Sequence, residues 1–192
     1  MYELLRNNIE QKVKLSDEEF KKVISFVSPV SIKRKQIMLQ AGEISRHSIF
    51  VCRGCLRSYS IDEKGIEHIS QISLEDRWIA NLYSLITQKP SDLYIDAIED
   101  SDLLLLPANM MDKLYDEVPR MERFFRLMMQ NAYVATQRRL NSTLSISAEE
   151  RYLELFETYP ALLLRVPLVH IASYLGITPE SLSRIRKQLA KK

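Results

Sequence analysis

The chain has 192 residues, 46% apolar and 27% charged, with a formal net charge of +2. That is room for one large domain or two small ones, with the balance of a soluble globular protein and not of a disordered one. Apolar runs stop at four residues, as in Leu103–Leu106, far below the ~20 a membrane span requires, and two cysteines exclude a disulfide-framed secreted scaffold.

The N-terminus, Met1 to Asn8, has no basic segment followed by an apolar stretch, so no signal peptide is expected and a reducing cytoplasm is the default compartment. Ser16 and Glu19 form a capping box before Phe20, Val23, Ile24 and Val27, which predicts a helix. From Pro29 to about Leu106 short β-like runs recur: Val30–Ile32, Ile37–Leu39, Ile49–Val51, Leu56–Ile61 and His68–Ile72. Glycines punctuate them at Gly42, Gly54 and Gly65, the pattern of a sandwich, barrel or roll. Trp78 to Thr87 reads as a short helix or an irregular excursion. Leu93, Ile95 and Ala97 alternate with polar neighbours as a half-buried strand, and Leu103 to Leu106 closes the β region.

After Pro107 the chain reads as helix. Pro119 suits a first helical position, and no glycine or proline follows until Pro160. Met121, Phe124, Phe125, Met128, Ala132, Ala135 and Leu140 keep helical spacing along this stretch. A helix of ~25 residues is roughly 37 Å long, more than one small β domain needs. The stripe is therefore expected to pack partly on the same helix of a second subunit; packing wholly on its own roll is the plainer alternative. Ser147 and Glu150 form a second capping box, opening a helix that Tyr159-Pro160 ends.

Charge is uneven. From Ala161 onward six basic residues face one acid, Glu180, whereas the remainder has 21 basic and 24 acidic residues. An acidic protein with a basic end points to a polyanionic partner; a solvated basic helix is the other reading. That end reads as two short helices. Pro167 starts the first, Gly176 suits the left-handed residue after it, Thr178 caps the second and Pro179 follows as its first residue. Leu168, Ile171 and Ala172 are expected to face Leu182, Ile185 and Leu189, a helix-turn-helix. Glu180, Ser183, Arg184 and Lys187 share another face, as a helix in the major groove requires. Arg donates twice to guanine O6 and N7, and Glu accepts from cytosine N4.

A β-rich domain, a long helix and a C-terminal helix-turn-helix resemble the Crp/Fnr family of bacterial transcription regulators over nearly the whole chain. Ile49 to Tyr59 followed by Lys64-Gly65-Ile66-Glu67 is similar to the family's β-roll signature, and Glu180-Ser181-Leu182-Ser183-Arg184 matches the E-x-x-S-R pattern of its Fnr-like recognition helix. The implied fold class is α+β: a jelly-roll-like double-stranded β-helix with flanking helices, a long dimerisation helix, and a helix-turn-helix without the usual wing. The expected domains are a cyclic-nucleotide-binding-like sensor roll (1–117), a dimerisation helix (118–145) and a DNA-binding domain (146–192). The resemblance implies that Glu180, Ser183 and Arg184 read bases and that a homodimer binds a pseudo-palindromic site on double-stranded DNA. Thr178, Arg186, Lys187, Lys191 and Lys192 are expected at phosphates, as salt-sensitive positioning contacts. RNA polymerase is the expected further partner if the protein activates; no membrane is.

Two departures stand out. Cyclic-nucleotide binders carry Gly-Glu and then Arg-Ser or Arg-Thr around the phosphate. Here Asp76 to Tyr94 has no glycine, and Ser91-Asp92 stands where Arg-Ser would, so cyclic AMP is not the expected effector. Trp78, Tyr83, Ser91 and Tyr94 are the candidate lining for another, unknown effector, with ordinary core as the alternative for the aromatics. Only Lys191-Lys192 follow Ala190, where a wing is usual, so phosphate contacts are expected to fall on the basic helix. No cofactor or metal is expected: Cys52-Arg53-Gly54-Cys55 lacks two further ligands, His47, His68 and His170 are scattered, and an iron–sulfur cluster takes four thiolates. No nucleophile–base motif argues for an enzyme. The competing reading is a ligand-binding β roll whose C-terminal helices contact a protein in place of DNA.

Overall fold

The computed structural model describes residues 1–190. Lys191 and Lys192, two of the expected phosphate contacts, lie outside the described residues. Two helices open the chain, α1 (Tyr2–Glu10) and α2 (Asp17–Ser25); the Ser16–Glu19 capping box closes both ways at the start of α2, at 3.1 Å and 2.7 Å. Eight strands follow: β1 (Ser28–Ile32), β2 (Ile37–Leu39), β3 (His47–Arg53), β4 (Leu56–Ile61), β5 (Glu67–Ser73), β6 (Arg77–Ile79), β7 (Tyr94–Ala97) and β8 (Ser101–Pro107). A short helix, α3 (Leu82–Thr87), interrupts them where the sequence predicted helix or excursion. The strands form two antiparallel four-stranded sheets, β1-β8-β3-β6 and β2-β7-β4-β5, face to face. A 3-10 turn at Ala108–Met110 leads into α4 (Met111–Glu117), α5 (Arg120–Ser145), α6 (Ala148–Thr158), α7 (Pro160–Arg165), α8 (Leu168–Leu175) and α9 (Pro179–Leu189). None of the described helices is long and apolar enough to cross a membrane.

Strand alternation sends side chains to three cores. Ile49 and Val51 of β3, Leu56 of β4, Ile95 and Ala97 of β7 and Leu103 of β8 fill the space between the sheets. Phe50, Leu104 and Leu106 point out of the first sheet and are covered by Leu5, Ile9, Phe20, Val23 and Leu114 of the surrounding helices. The third core lies outside the second sheet, where Cys55 and Ile98 join α6–α9. Gly54 turns β3 into β4 at φ 98°, and a Cβ there would sit 2.2 Å from Ser101 Oγ and 2.7 Å from the Asp100 carbonyl, so only glycine fits. Its neighbours in the C-x-x-C separate: Cys52 borders the helix-covered core and Cys55 is sealed into the C-terminal one.

The apolar stripe of α5 divides. Met121, Phe124 and Phe125 are buried in their own subunit, so these three do not form a dimer seam, contrary to the sequence expectation, and Met128 packs partly against the same core. Trp78 receives them, its ring 6.3 Å from Phe124 and 5.4 Å from Phe125, and Phe50 lies 5.2 Å away on the other side. Beyond this point Ala132 and Ala135 are exposed, together with Tyr133, Leu140 and Leu144. The helix packs its apolar side chains on the roll with its first turns, and later touches it again through Arg139, which donates to the Ser70 carbonyl. Pro160 begins a helix, α7, that the sequence reading treated only as a boundary.

Candidate nucleic-acid interface

The C-terminal helices assemble by local rules. Gly176 ends α8 at φ 69°, and the Ile177 N–H donates back to the Ala172 carbonyl at 3.0 Å, which closes the helix. Thr178 Oγ1 accepts from the Ser181 N–H at 3.2 Å, and Pro179 occupies the first turn of α9. Ile171, Ala172 and Leu175 bury against Leu182 and Ile185, with Leu189 partly covered; Tyr152, Leu155, Leu162 and Val166 complete the core. Leu168, expected in this contact, is 38% exposed at the start of α8. With the inner face of α9 filled by Leu182 and Ile185, helical periodicity turns Glu180, Ser183, Arg184 and Lys187 outward together, and all four are exposed, as are Thr178 and Arg186. The Glu180 carboxyl is held below its ordinary range first by its own backbone N–H and then by the Thr178 hydroxyl. It is thus an ionised acceptor, fixed at the free end of a helix N-terminus.

Arg165 does not belong to this face. Its guanidinium forks onto Glu75 at 2.7 and 2.8 Å and reaches Glu99 at 2.5 Å and the Gly54 carbonyl at 3.2 Å. Part of the basic charge counted in the sequence is therefore neutralised inside the molecule. His170, one of the three scattered histidines, is half-buried against the second sheet: Arg57 Nη1 donates to its Nδ1 at 3.0 Å. The same guanidinium binds Asp96 bidentately at 2.8 and 3.0 Å and pairs with Glu67. Burial works against the Arg57 charge, but Asp96 and then Glu67 outweigh it and raise its pKa. Alongside, Ser173 Oγ donates to the Glu67 carbonyl at 2.6 Å and accepts from the Ile69 N–H at 2.9 Å, and Arg139 donates to the Ser70 carbonyl at 2.5 Å. Five side chains, Arg57, Glu67, Asp96, His170 and Ser173, thus pin α8 to the second sheet, Arg165 ties α7 to the neighbouring loops, and none of the six was singled out from the sequence as joining the two. Asp96 alternates with apolar residues and reads as solvent-facing; its cover comes from a helix more than 70 residues away.

No family model matches the chain. It is 25% identical over 172 residues to the "Anaerobic regulatory protein" of Haemophilus influenzae, and it spans 83% of itself and 66% of that relative, just under two thirds of the relative's length. The solved structure of FixK2 from Bradyrhizobium japonicum superposes with a TM-score of 0.73 at 21% identity, over 86% of this chain and 85% of that one. A transcriptional regulator of the crp/fnr family from Eubacterium rectale superposes with a TM-score of 0.70 at 15% identity, over 92% of this chain and 84% of the other. The chain has the fold of Crp/Fnr regulators.

In this Crp/Fnr-type roll the four candidate pocket residues do not converge. Trp78 faces the helices outside the first sheet, where its Nε1 donates to Asn8 Oδ1 at 3.0 Å; Tyr94 stacks on Tyr59 at 5.3 Å outside the second; Tyr83 is 56% exposed on α3. Alternation in β6 and β7 puts Trp78 and Tyr94 on outer faces, which the sequence pattern did not distinguish from inner ones. Ser91 is buried within the Asp76 to Tyr94 segment, and there it serves structure. Asn81 accepts from the Ser84 N–H at 3.0 Å and donates to Ser91 Oγ at 2.7 Å and Asp92 Oδ1 at 3.3 Å, and Ser84 Oγ accepts from the Ser45 N–H at 2.9 Å. The cavity of the roll, about 600 Å³, opens beside them between Leu39, Ile49 and Ile95 on one side and Glu43, Arg46 and His47 on the other.

Proposed function

We propose that this Crp/Fnr-type chain is a sequence-specific DNA-binding transcription regulator that acts as a homodimer on a pseudo-palindromic site. The observation that carries this reading is the exposed face Glu180, Ser183 and Arg184 on a capped helix whose opposite face is buried. Arg184 donates to a guanine, Glu180 accepts from a cytosine N4, and Ser183 serves either base type. Thr178, Arg186 and Lys187, with Lys191 and Lys192, contact phosphates. The second half of α5 joins the two copies through Tyr133, Leu140 and Leu144, which keep i, i+7, i+11 spacing and are 66%, 54% and 76% exposed. The 118–145 segment then divides its work, its first turns belonging to the sensor and its remainder to the dimer. A cytoplasmic location, and a contact with RNA polymerase if the protein activates, follow from the same reading.

The effector is not a cyclic nucleotide. The segment that would hold a cyclic phosphate is internally bonded through Asn81, Ser84 and Ser91, and it presents the Asp92 carboxylate. An anion there would meet repulsion from the Asp92 carboxylate.

A second reading draws on Phe156 and Leu164, 54% and 88% exposed, as a surface for a protein partner. Selection from random duplexes followed by a salt titration separates the two. DNA recognition weakens steeply between ~50 and 200 mM salt, and no binding to any duplex at low salt would leave the protein-partner reading standing.

A further inference from the structure

We infer that Arg57 is a positioning residue for DNA reading: from the outer face of the sensor sheet it fixes the angle at which its own subunit presents α9. The inference rests on the DNA-binding reading above. Arg57 and Asp96 are partners across β4 and β7, and their side chains are each 9% exposed, although both belong to a sheet surface. What covers them is α8, through His170. The guanidinium is thus held on three sides by two carboxylates and an imidazole, and on a fourth by the Tyr59 ring, 4.1 Å from the Arg57 Cζ.

Such a cluster adds little net stability compared with apolar packing, because desolvation offsets most of its attraction. Its directional bonds do fix one arrangement of the parts they join. Ser173 adds two more bonds to β5 beside it, and Arg139 a third. These contacts stay clear of the reading face: Glu180, Ser183, Arg184 and Lys187 remain exposed while α8 is docked. The docked arrangement is therefore the one that presents α9, not one that hides it.

Fixed orientation matters only when two reading helices must be matched at once. Two half-sites lie about one helical turn apart, ~34 Å, and a helix-turn-helix free to pivot loses effective concentration for the second. A single half-site makes no such demand. The sensor cavity is one strand-face away, since Ile95, which lines it, precedes Asp96 in β7. An occupant that moves β7 moves the Arg57 carboxylate partner with it.

The test compares Arg57→Gln and the charge-neutral Ser173→Ala with the parent protein, on a selected duplex carrying both half-sites and on one carrying a single half-site. Losing docking bonds is expected to weaken full-site binding by about fivefold or more while half-site binding stays within about twofold of the parent. A misfolded variant would lose both, and Ser173→Ala decides if Arg57→Gln does so. Full-site binding equal to the parent's in Ser173→Ala and in folded Arg57→Gln, or tighter than the parent's in either, overturns the inference while DNA recognition stands. A parent that binds neither duplex overturns both.

Discussion

Arg57 Nη1 lies 3.0 Å from His170 Nδ1 across 113 residues of sequence, and the imidazole accepts that bond only while neutral. Burial first, then the Arg57 charge, lowers the His170 pKa from its ordinary 6.5; Glu67 and Asp96 pull it up and Arg34 pulls it down, with a net lowering. An unfolded chain therefore takes up a proton here more readily than the folded one. Stability is full above about pH 6.5 and falls as the pH drops from there toward the lowered value. His47 is lowered too, by burial and Arg46, so His170→Gln, which keeps an acceptor, isolates the effect. Urea midpoints between about pH 5 and 7.5 should diverge, with the parent losing more than the variant on acidification; parallel curves would sink the neutral-imidazole contact.

Arg184→Ala is expected to reduce affinity for a selected site by ~1–3 kcal/mol and to relax preference at one base position in each half-site. Lys187→Ala should instead weaken all duplexes similarly and flatten the salt dependence by about one charge. Fluorescence anisotropy on matched and singly altered duplexes checks both. An Arg184→Ala protein with unchanged preference would remove its base-reading role.

Leu140→Glu/Leu144→Glu places carboxylates on the exposed end of α5 without touching the Phe124–Trp78 core. Sedimentation should show monomers at concentrations where the parent is dimeric, with the parent's melting profile for the roll. Phe124→Ala is the contrasting change. It empties a fully buried site beside Trp78 and should cost about 3–5 kcal/mol of stability. A variant at Leu140 and Leu144 that stays dimeric would place the subunit contact elsewhere.

Gly54→Ala should destabilise the roll by roughly 1–3 kcal/mol, since its φ of 98° and the 2.7 Å approach to the Asp100 carbonyl both resist a Cβ. Ser101→Ala removes the 2.2 Å clash with Oγ but not the backbone one, so the double variant is expected to recover only part of the loss in urea denaturation.

The two thiols should be slow to alkylate in the native protein. Burial pushes Cys52 up to about 11 and Cys55 up to about 12, and the turn at Gly54 sends them to different cores. Only thiolate reacts. Iodoacetamide modification near neutral pH should be slow without denaturant and rapid with it; fast native labelling of Cys55 would mean that the contact between α8 and the second sheet opens readily.

Much of this molecule is written in short-range chemistry. Ser16 with Glu19, Ser147 with Glu150, and Thr178-Pro179 after Gly176 mark helix ends by hydrogen bonds within a few residues, and all three are found where the residues place them. The reading face of α9 is equally local, because Leu182 and Ile185 define its buried side by period alone. Periodicity reports that a face is covered, not what covers it. Hence the α5 stripe looked uniform, although Phe124 meets its own roll and Leu140 meets solvent. The aromatics suffered likewise: Trp78 and Tyr94 occupy outer strand faces, so neither enters the cavity. Arg57, Asp96 and His170 offered no local hint, since their meeting depends on the β4–β7 register and on where α8 returns after a long helix. Those are long-range choices settled by whole surfaces fitting together, and no window of neighbouring residues contains them.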